Sequence, residues 1–504
     1  MTTSLAYRDH MSSAARPTAI AAPPRFAWRA VAPALAATAV ALLATAGRYG
    51  YHRDELYFRM LPPAWGYVDQ PPFVPLVART MASLHDSVLV LRLPALVLAV
   101  ATTCVVVLLT RELGGGAFAQ GLAAWGYGFG TFTLTFGHLL HTSSIDLLAW
   151  AGVLIAVVRA LRRGPRWWWL AGVVVGLDTY DKWLVVVLVV AVLAGILVAG
   201  PRRALASPAL LGSAVAAVLL ALPNILWQVR HGLPQRAMGQ ALSADNATSV
   251  RIATVPALVI MVGPLLFVVV VAGFVRLLRA PAWRAYRFLP VALLVAVGLT
   301  MLGGAQFYYP YGVLSAVLAA GCVPATTWAR TRGRRTALVV LVALHVATNV
   351  VIDLPVLPLP VLARTPIPVI NQTVRDTVGW PTYVAQVDAV VDRALAVDPG
   401  TVVLASNYGE AGALARFGRY RDVPVVSGHV ALWDLGGPPP ATQTVVVVGG
   451  QLTFVAPLFE RCTTMTRLAS GAGIDNEEEG QPVAVCSGPT ESWADLWPRL
   501  RHLG

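Results

Sequence analysis

The chain is poor in charge. Only 12% of its 504 residues are charged, against ~25% in a soluble domain, and 57% are hydrophobic at a mean hydropathy of +0.65. Those values exclude disorder, and apolar runs recurring from residue 28 to residue 353 exclude a soluble enzyme with one anchor. Four cysteines are too few for a disulfide framework. Lysine is almost absent: of 38 basic residues only Lys182 is a lysine. The sequence has no Gly-rich phosphate loop, no Trp-Trp-Asp motif, no internal repeat and no arginine stripe suited to nucleic acid.

What is there reads as an all-α polytopic membrane bundle. Spans are expected at 28–46, 88–110, 117–137, 145–161, 165–180, 183–199, 207–227, 254–277, 288–304, 309–328 and 336–353, eleven in all, each near the ~20 residues a bilayer requires. With the tail 1–27 in the cytosol, 19 of the 28 basic residues before position 350 fall on the cytosolic side, as the positive-inside rule demands. Asp178, Asp181 and Lys182 break the apolar stretch 165–199 into two spans. The resulting odd count places residues 354–504 outside the cytosol, with the chain in the cell membrane. Asp54, Glu55, Asp69, Asp86, Asp146, Asp178, Asp181 and Asp245 also fall on the outer side, which suggests an outward-facing polar site.

Two outer loops stand out. Residues 47–87 carry aromatics, two Pro-Pro pairs and half of those acids, and 228–253 reads as a long polar loop suited to a mobile cover. Beyond 353 the pattern alternates. Tyr383–Val397 is amphipathic, Thr401–Ala405, Val423–Val426 and Thr444–Val448 are strand-like, and Glu410–Phe417 is helix-like, which predicts a small extracytoplasmic α/β domain. Cys104 and Cys322 lie in apolar runs as packing residues. Cys462 and Cys486 are either a pair, if the domain is outside, or two unrelated thiols. The acidic run Asp475–Glu479 reads as a solvated loop.

The densest local feature is Tyr51-His52-Arg53-Asp54-Glu55-Leu56-Tyr57 followed by Trp65-Gly66-Tyr67-Val68-Asp69-Gln70-Pro71-Pro72. A carboxylate just beyond the first span is placed to take a proton from an acceptor, with its neighbour binding a hydroxyl or orienting it. The competing reading is a solvated loop. His138 and His141, three apart, read as polar interfacial histidines, and Asp146 faces the bundle interior.

These motifs resemble the bacterial branch of glycosyltransferase family 39, membrane enzymes of the GT-C fold related to dolichyl-phosphate-mannose protein mannosyltransferases and lipid A aminoarabinose transferases. The resemblance continues through Ser144-Ile145-Asp146-Leu147-Leu148-Ala149-Trp150, Leu177-Asp178-Thr179-Tyr180-Asp181-Lys182, Pro223-Asn224-Ile225-Leu226-Trp227-Gln228 with His231-Gly232, Tyr308-Tyr309-Pro310-Tyr311, Asn407-Tyr408-Gly409-Glu410-Ala411-Gly412 and Ser427-Gly428-His429. It implies a polyprenyl-phosphate sugar donor used on the outer face, an envelope acceptor (glycolipid, polysaccharide or protein), one inverting displacement, and Asp54 in the catalytic position. No cofactor is certain, and a divalent metal is left open without being indicated.

The chain departs from that pattern. Gln70, Tyr57 and Gln306 stand where relatives carry Lys, Arg and Lys. Lys182 is therefore the leading phosphate-binding cation, with Arg53, Arg230 and His231 behind it. The other reading of Lys182 is an ion pair with Asp178 or Asp181. Glu55, Asp69, Tyr308 and Tyr309 are the remaining substrate-binding candidates, and Asp146, Asp178 and Asp181 support them. Two other functions compete: a transporter or flippase of lipid-linked sugars, and a non-catalytic envelope scaffold.

Overall fold

A computed structural model describes residues 22–503. The first part of the expected cytosolic tail, with Arg8, Asp9 and Arg16, lies outside the described residues. Fifteen helices run from the start of the described chain to residue 353: α1 (Trp28–Thr45), α2 (Arg53–Met60), α3 (Phe73–Leu84), α4 (Val88–Glu112), α5 (Ala117–Gly128), α6 (Thr131–His138), α7 (Thr142–Arg163), α8 (Trp167–Asp178), α9 (Val185–Ala199), α10 (Pro208–Arg230), α11 (Pro234–Val262), α12 (Phe267–Arg279), α13 (Phe288–Gly303), α14 (Tyr311–Trp328) and α15 (Arg332–Asp353). Among the described residues eight helices are long and apolar enough to cross a membrane: α1, α4, α7, α10, α11, α14, α15 and α13 with the turn before it. Apolar side chains on their outer flanks stay exposed, such as Leu211, Val215, Val218 and Leu219 on α10. On a soluble monomer so continuous a patch would be unusual. Here it is the surface that lipid covers.

The eleven expected stretches are all largely helical, with the expected break between Asp178 and Val185. Two of them are interrupted. The stretch 117–137 divides at Phe129–Gly130 into α5 and α6. The stretch 254–277 divides at Gly263, whose φ of +95° favours glycine. The expected loop 228–253 is a correction: after a turn at His231–Leu233 it is helical, the first five turns or so of α11. Pro234 at the first helical position and the alanines that follow favour a helix despite the polar composition.

Within the bundle α8 packs on α10, α9 on α13, α7 on α4 and α8, and α12 on α14. The last contact depends on glycine, since a Cβ at Gly273 or Gly321 would collide with the facing backbone.

The C-terminal domain has a five-stranded sheet in the order β2-β1-β3-β5-β4, built from β1 (Val402–Ala405), β2 (Val425–Val426), β3 (Thr444–Val448), β4 (Phe459–Arg467) and β5 (Pro482–Pro489). The first three pair in parallel, and β5 runs antiparallel to both of its neighbours. Both faces of β1 and β3 are covered, so these strands are apolar apart from Thr444 at the start of β3. Helix α16 (Trp380–Leu395) packs on one face, and α17 (Tyr408–Phe417) follows β1. Cys462 and Cys486 are paired across β4 and β5, which decides between the two readings of those thiols. The sequence pattern did not suggest β4 or β5.

Loop 47–87 is clamped between the two parts. Leu56, Tyr57 and Phe58 of α2 share one buried cluster with Trp380, Val384, Val403 and Val446 of the α/β domain. Gly409 and Gly412 of α17 let that helix approach α2 closely, because a Cβ would strike Arg53 or the backbone of Leu56. On the other side Glu55, fully buried, receives Arg92 of α4 through two bonds of 2.9 Å each, the backbone N–H of His52 at 2.8 Å and that of Leu140 at 3.1 Å.

Candidate active site

The clamp holds Asp54 in the first turn of α2. His52 caps that helix, its Nδ1 accepting from the Asp54 N–H at 3.3 Å. Asp54 Oδ1 accepts from the Tyr408 hydroxyl at 2.8 Å, and Oδ2 lies 3.3 Å from His141 Nε2 and 3.8 Å from His52 Nδ1. His141 is itself the N-cap of α7, with Nδ1 accepting from the Ser143 N–H at 3.0 Å, so its proton sits on Nε2 and points at Asp54. Burial pushes the Asp54 carboxyl up, but His52, His141 and Tyr408 outweigh it and hold the group well below the usual carboxylate range. Its side chain keeps 17% exposure, enough to meet a ligand.

Asp69 approaches the same group through aromatics. Its Oδ1 accepts from Tyr57 OH at 2.9 Å, and the Tyr57 ring lies 4.8 Å from that of Tyr408. Burial pushes Asp69 up to about 7, only partly opposed by the Tyr57 hydrogen bond. Arg53 sits over the other part of Tyr408, its guanidinium 4.9 Å from the ring centroid, and pairs with Glu477. Arg53 also lines a polar cavity of about 520 Å³ with Glu410, His429, Glu478 and His502. Burial, His502 and Arg53 lower His429 to about 3, so it is neutral there. The acidic run is a solvated loop in part: Asp475 and Glu477 are exposed, and the burial of Glu478 is a second correction. Glu478 is buried and accepts from Asn407 Nδ2 at 3.2 Å, because the segment folds back over α17.

The turn that carries His141 also reaches a second group. Lys182 Nζ lies 3.5 Å from Ser143 Oγ and 5.2 and 5.4 Å from the ring centroids of Tyr308 and Tyr309. It has no ion pair within 4 Å among the described residues, so the alternative pairing with Asp178 or Asp181 does not form. The carboxylates of Asp146, Asp178 and Asp181 gather close by, one oxygen of each within 4.8 Å of the others. Asp178 and Asp181 also line a groove of about 990 Å³, together with Trp65, Phe73, Leu76, Leu98, Leu148, Ala149 and Leu177. Apart from Tyr180, the rest of its lining is apolar.

The structure thus brings Asp54, Arg53 and Asp69 into one cluster, and Lys182, Tyr308, Tyr309, Asp146, Asp178 and Asp181 into another, joined through His141 and Ser143. Glu55 stands apart, with its oxygens occupied as a brace for α2. Arg230 is exposed at the end of α10, where His231 stacks on Trp227 at 4.3 Å. Trp227 in turn packs on Gly66 of the 61–72 loop. His52, His141, Tyr408 and His429 are functional candidates that sequence reasoning did not assign. His52, Tyr408 and His429 lay inside the quoted motifs, and His141 carried only the signal of its spacing.

A sequence profile for the dolichyl-phosphate-mannose-protein mannosyltransferase family matches residues 69–227. No curated protein matches the chain in sequence. Among solved structures, ArnT from Cupriavidus metallidurans in the apo state is similar, at 15% identity and a TM-score of 0.57 over 91% of this chain and 99% of that one. The same protein bound to undecaprenyl phosphate gives 15% identity and a TM-score of 0.58 over 92% and 100%. The chain therefore has the ArnT-like, mannosyltransferase-like GT-C fold of membrane glycosyltransferases, with a bundle of membrane helices and a small α/β domain.

Proposed function

We propose that this chain transfers a sugar from a polyprenyl-phosphate carrier to a hydroxyl of an envelope acceptor at the extracytoplasmic face of the cell membrane, with Asp54 as general base. The observation that carries the reading is one juxtaposition. A largely apolar groove has Asp178 and Asp181 in its lining, and one turn of α7 connects the neighbouring Lys182 to a carboxylate that is held ionised.

The carrier's hydrocarbon lies in the groove and its phosphate faces Lys182. The acceptor hydroxyl meets Asp54. The new bond forms between the acceptor oxygen and the anomeric carbon as the bond to the carrier phosphate breaks. The acceptor proton passes to Asp54, and the electron pair leaves with the phosphate, whose charge Lys182 stabilises. Attack opposite the leaving group inverts the anomeric configuration. The polar cavity beside Arg53 is the acceptor's entry, on the α/β side. The Cys462–Cys486 bond and the arginine bias support an extracytoplasmic C-terminal domain and a cytosolic N-terminus.

The test is transfer of labelled sugar from a panel of polyprenyl-phosphate sugars, with lipid, polysaccharide and protein fractions counted separately. Asp54→Asn is expected to fold and insert but to lose activity by ~10²- to 10⁴-fold, the usual contribution of a general base. Wild-type rates in that variant would remove Asp54 from the mechanism. Lipid movement across a vesicle bilayer with no new glycosidic bond would replace the reading with transport.

A further inference from the structure

Three clustered acids, two of which line the groove, exceed what the bundle neutralises. Asp146, Asp178 and Asp181 are all buried. Asp146 Oδ1, both oxygens of Asp178 and both of Asp181 meet no hydrogen-bond donor. Buried carboxylates without donors or counter-ions are costly, the more so at membrane depth. Among the described residues the cation that faces them, Lys182, is directed at Ser143 and the two tyrosine rings.

Spacing, charge and donor type agree on what would satisfy them. Oxygens bound to one hard cation at about 2.0–2.4 Å lie no more than about 4.8 Å apart, the limit within which these three gather. Three carboxylates with one lysine leave two negative charges, which one divalent ion balances. An all-oxygen donor set selects magnesium or manganese over zinc or copper. We propose that Asp146, Asp178 and Asp181 bind a divalent cation of the Mg²⁺/Mn²⁺ class. Because Asp178 and Asp181 also line the groove, an ion held there would lie beside the phosphate of a carrier bound in it. That last step rests on the transferase reading, while the ion site itself does not. The ion and Lys182 would then share the phosphate charge, in place of the cations that this chain lacks at Gln70 and Gln306.

The probe is Mn²⁺ alone, titrated into the purified full-length protein in nanodiscs and followed by loss of the free-ion electron paramagnetic resonance signal. One ion per wild-type chain is expected. Affinity should fall at least tenfold in Asp178→Asn and in Asp181→Asn, be unchanged in Asp54→Asn, and be competed by Mg²⁺. Asparagine keeps the shape of aspartate and removes buried charge, and thermal unfolding of each variant confirms that it is folded. Two results overturn the proposal: no Mn²⁺ bound by folded wild type, or equal binding in the two asparagine variants. Its failure is separable from that of the transferase reading. Mn²⁺ binding without sugar transfer from any donor leaves the site and removes the activity. Undiminished transfer by metal-depleted protein that binds no Mn²⁺ does the reverse.

Discussion

Removing the two donors on Asp54 should move its titration into an accessible range. In the wild-type site Tyr408 donates at 2.8 Å and His141 lies at 3.3 Å. A hydrogen bond to a charged group contributes about 1.5–3 kcal/mol, and 1.36 kcal/mol corresponds to one pKa unit. Tyr408→Phe or His141→Ala therefore raises the Asp54 pKa by about 1–2 units each. In the double variant the two increments sum to about 2–4 units, which brings the group back to about its ordinary value. The base works ionised. A raised pKa thus removes activity as pH falls and restores it as pH rises. The assay is the pH dependence of kcat/KM for sugar transfer in nanodiscs. No acid limb from Asp54 is expected in wild type down to about pH 4, and one should appear at about pH 4–5 in Tyr408→Phe/His141→Ala, with the single variants lying between. Asp69, pushed by burial to about 7, titrates above that window, so the comparison is repeated with Asp69→Asn in both backgrounds. If wild type and double variant give superimposable profiles from about pH 4 to 8, the ionisation of Asp54 does not control the reaction and the assignment fails.

Other outcomes follow from the same geometry. Glu55→Gln leaves the buried Arg92 guanidinium without its counter-charge, so stability should fall by about 3–5 kcal/mol, and activity with it as α2 loosens. Thermal unfolding followed by tryptophan fluorescence reads this, and an unchanged midpoint would show that the pair does not brace α2. Ala149→Trp fills part of the groove. A polyprenyl chain moves there from one apolar medium to another, so the groove selects by fit rather than by hydrophobic gain. The donor KM should rise on the order of tenfold, about 1.4 kcal/mol, with kcat little changed and short-chain donors less affected. A KM equal to wild type would place the lipid elsewhere.

The bundle was legible because long apolar runs leave few alternatives, and the arginine-rich turns ordered them. Helix α11 was hidden, since its first half mixes Gln, Ser, Asp and Asn and lowers the mean hydropathy that marks a span. Strand β4 was missed for a related reason: as an edge strand it carries Thr, Arg and Glu between its buried positions. At the site, Asp54 stood out through its motif. Its partners did not, because the bond from Tyr408 joins residues 354 apart in sequence. The buried role of Glu55 was equally invisible, as adjacent acids on a short helix look alike until Arg92 of α4 is placed beside one of them.

The clamp on α2 also sets the order in which the site is completed during synthesis. Arg92, His141 and Lys182 enter with the first half of the bundle, whereas Tyr408 and the two glycines that seat α17 against α2 are made more than two hundred residues after Lys182. A nascent bundle already in the bilayer therefore has its groove and acidic cluster but an unfinished base. Asp54 acquires its full set of contacts only after the last domain has folded and docked. Docking of the C-terminal domain is then a checkpoint in assembly: an incomplete chain holds the groove without the chemistry.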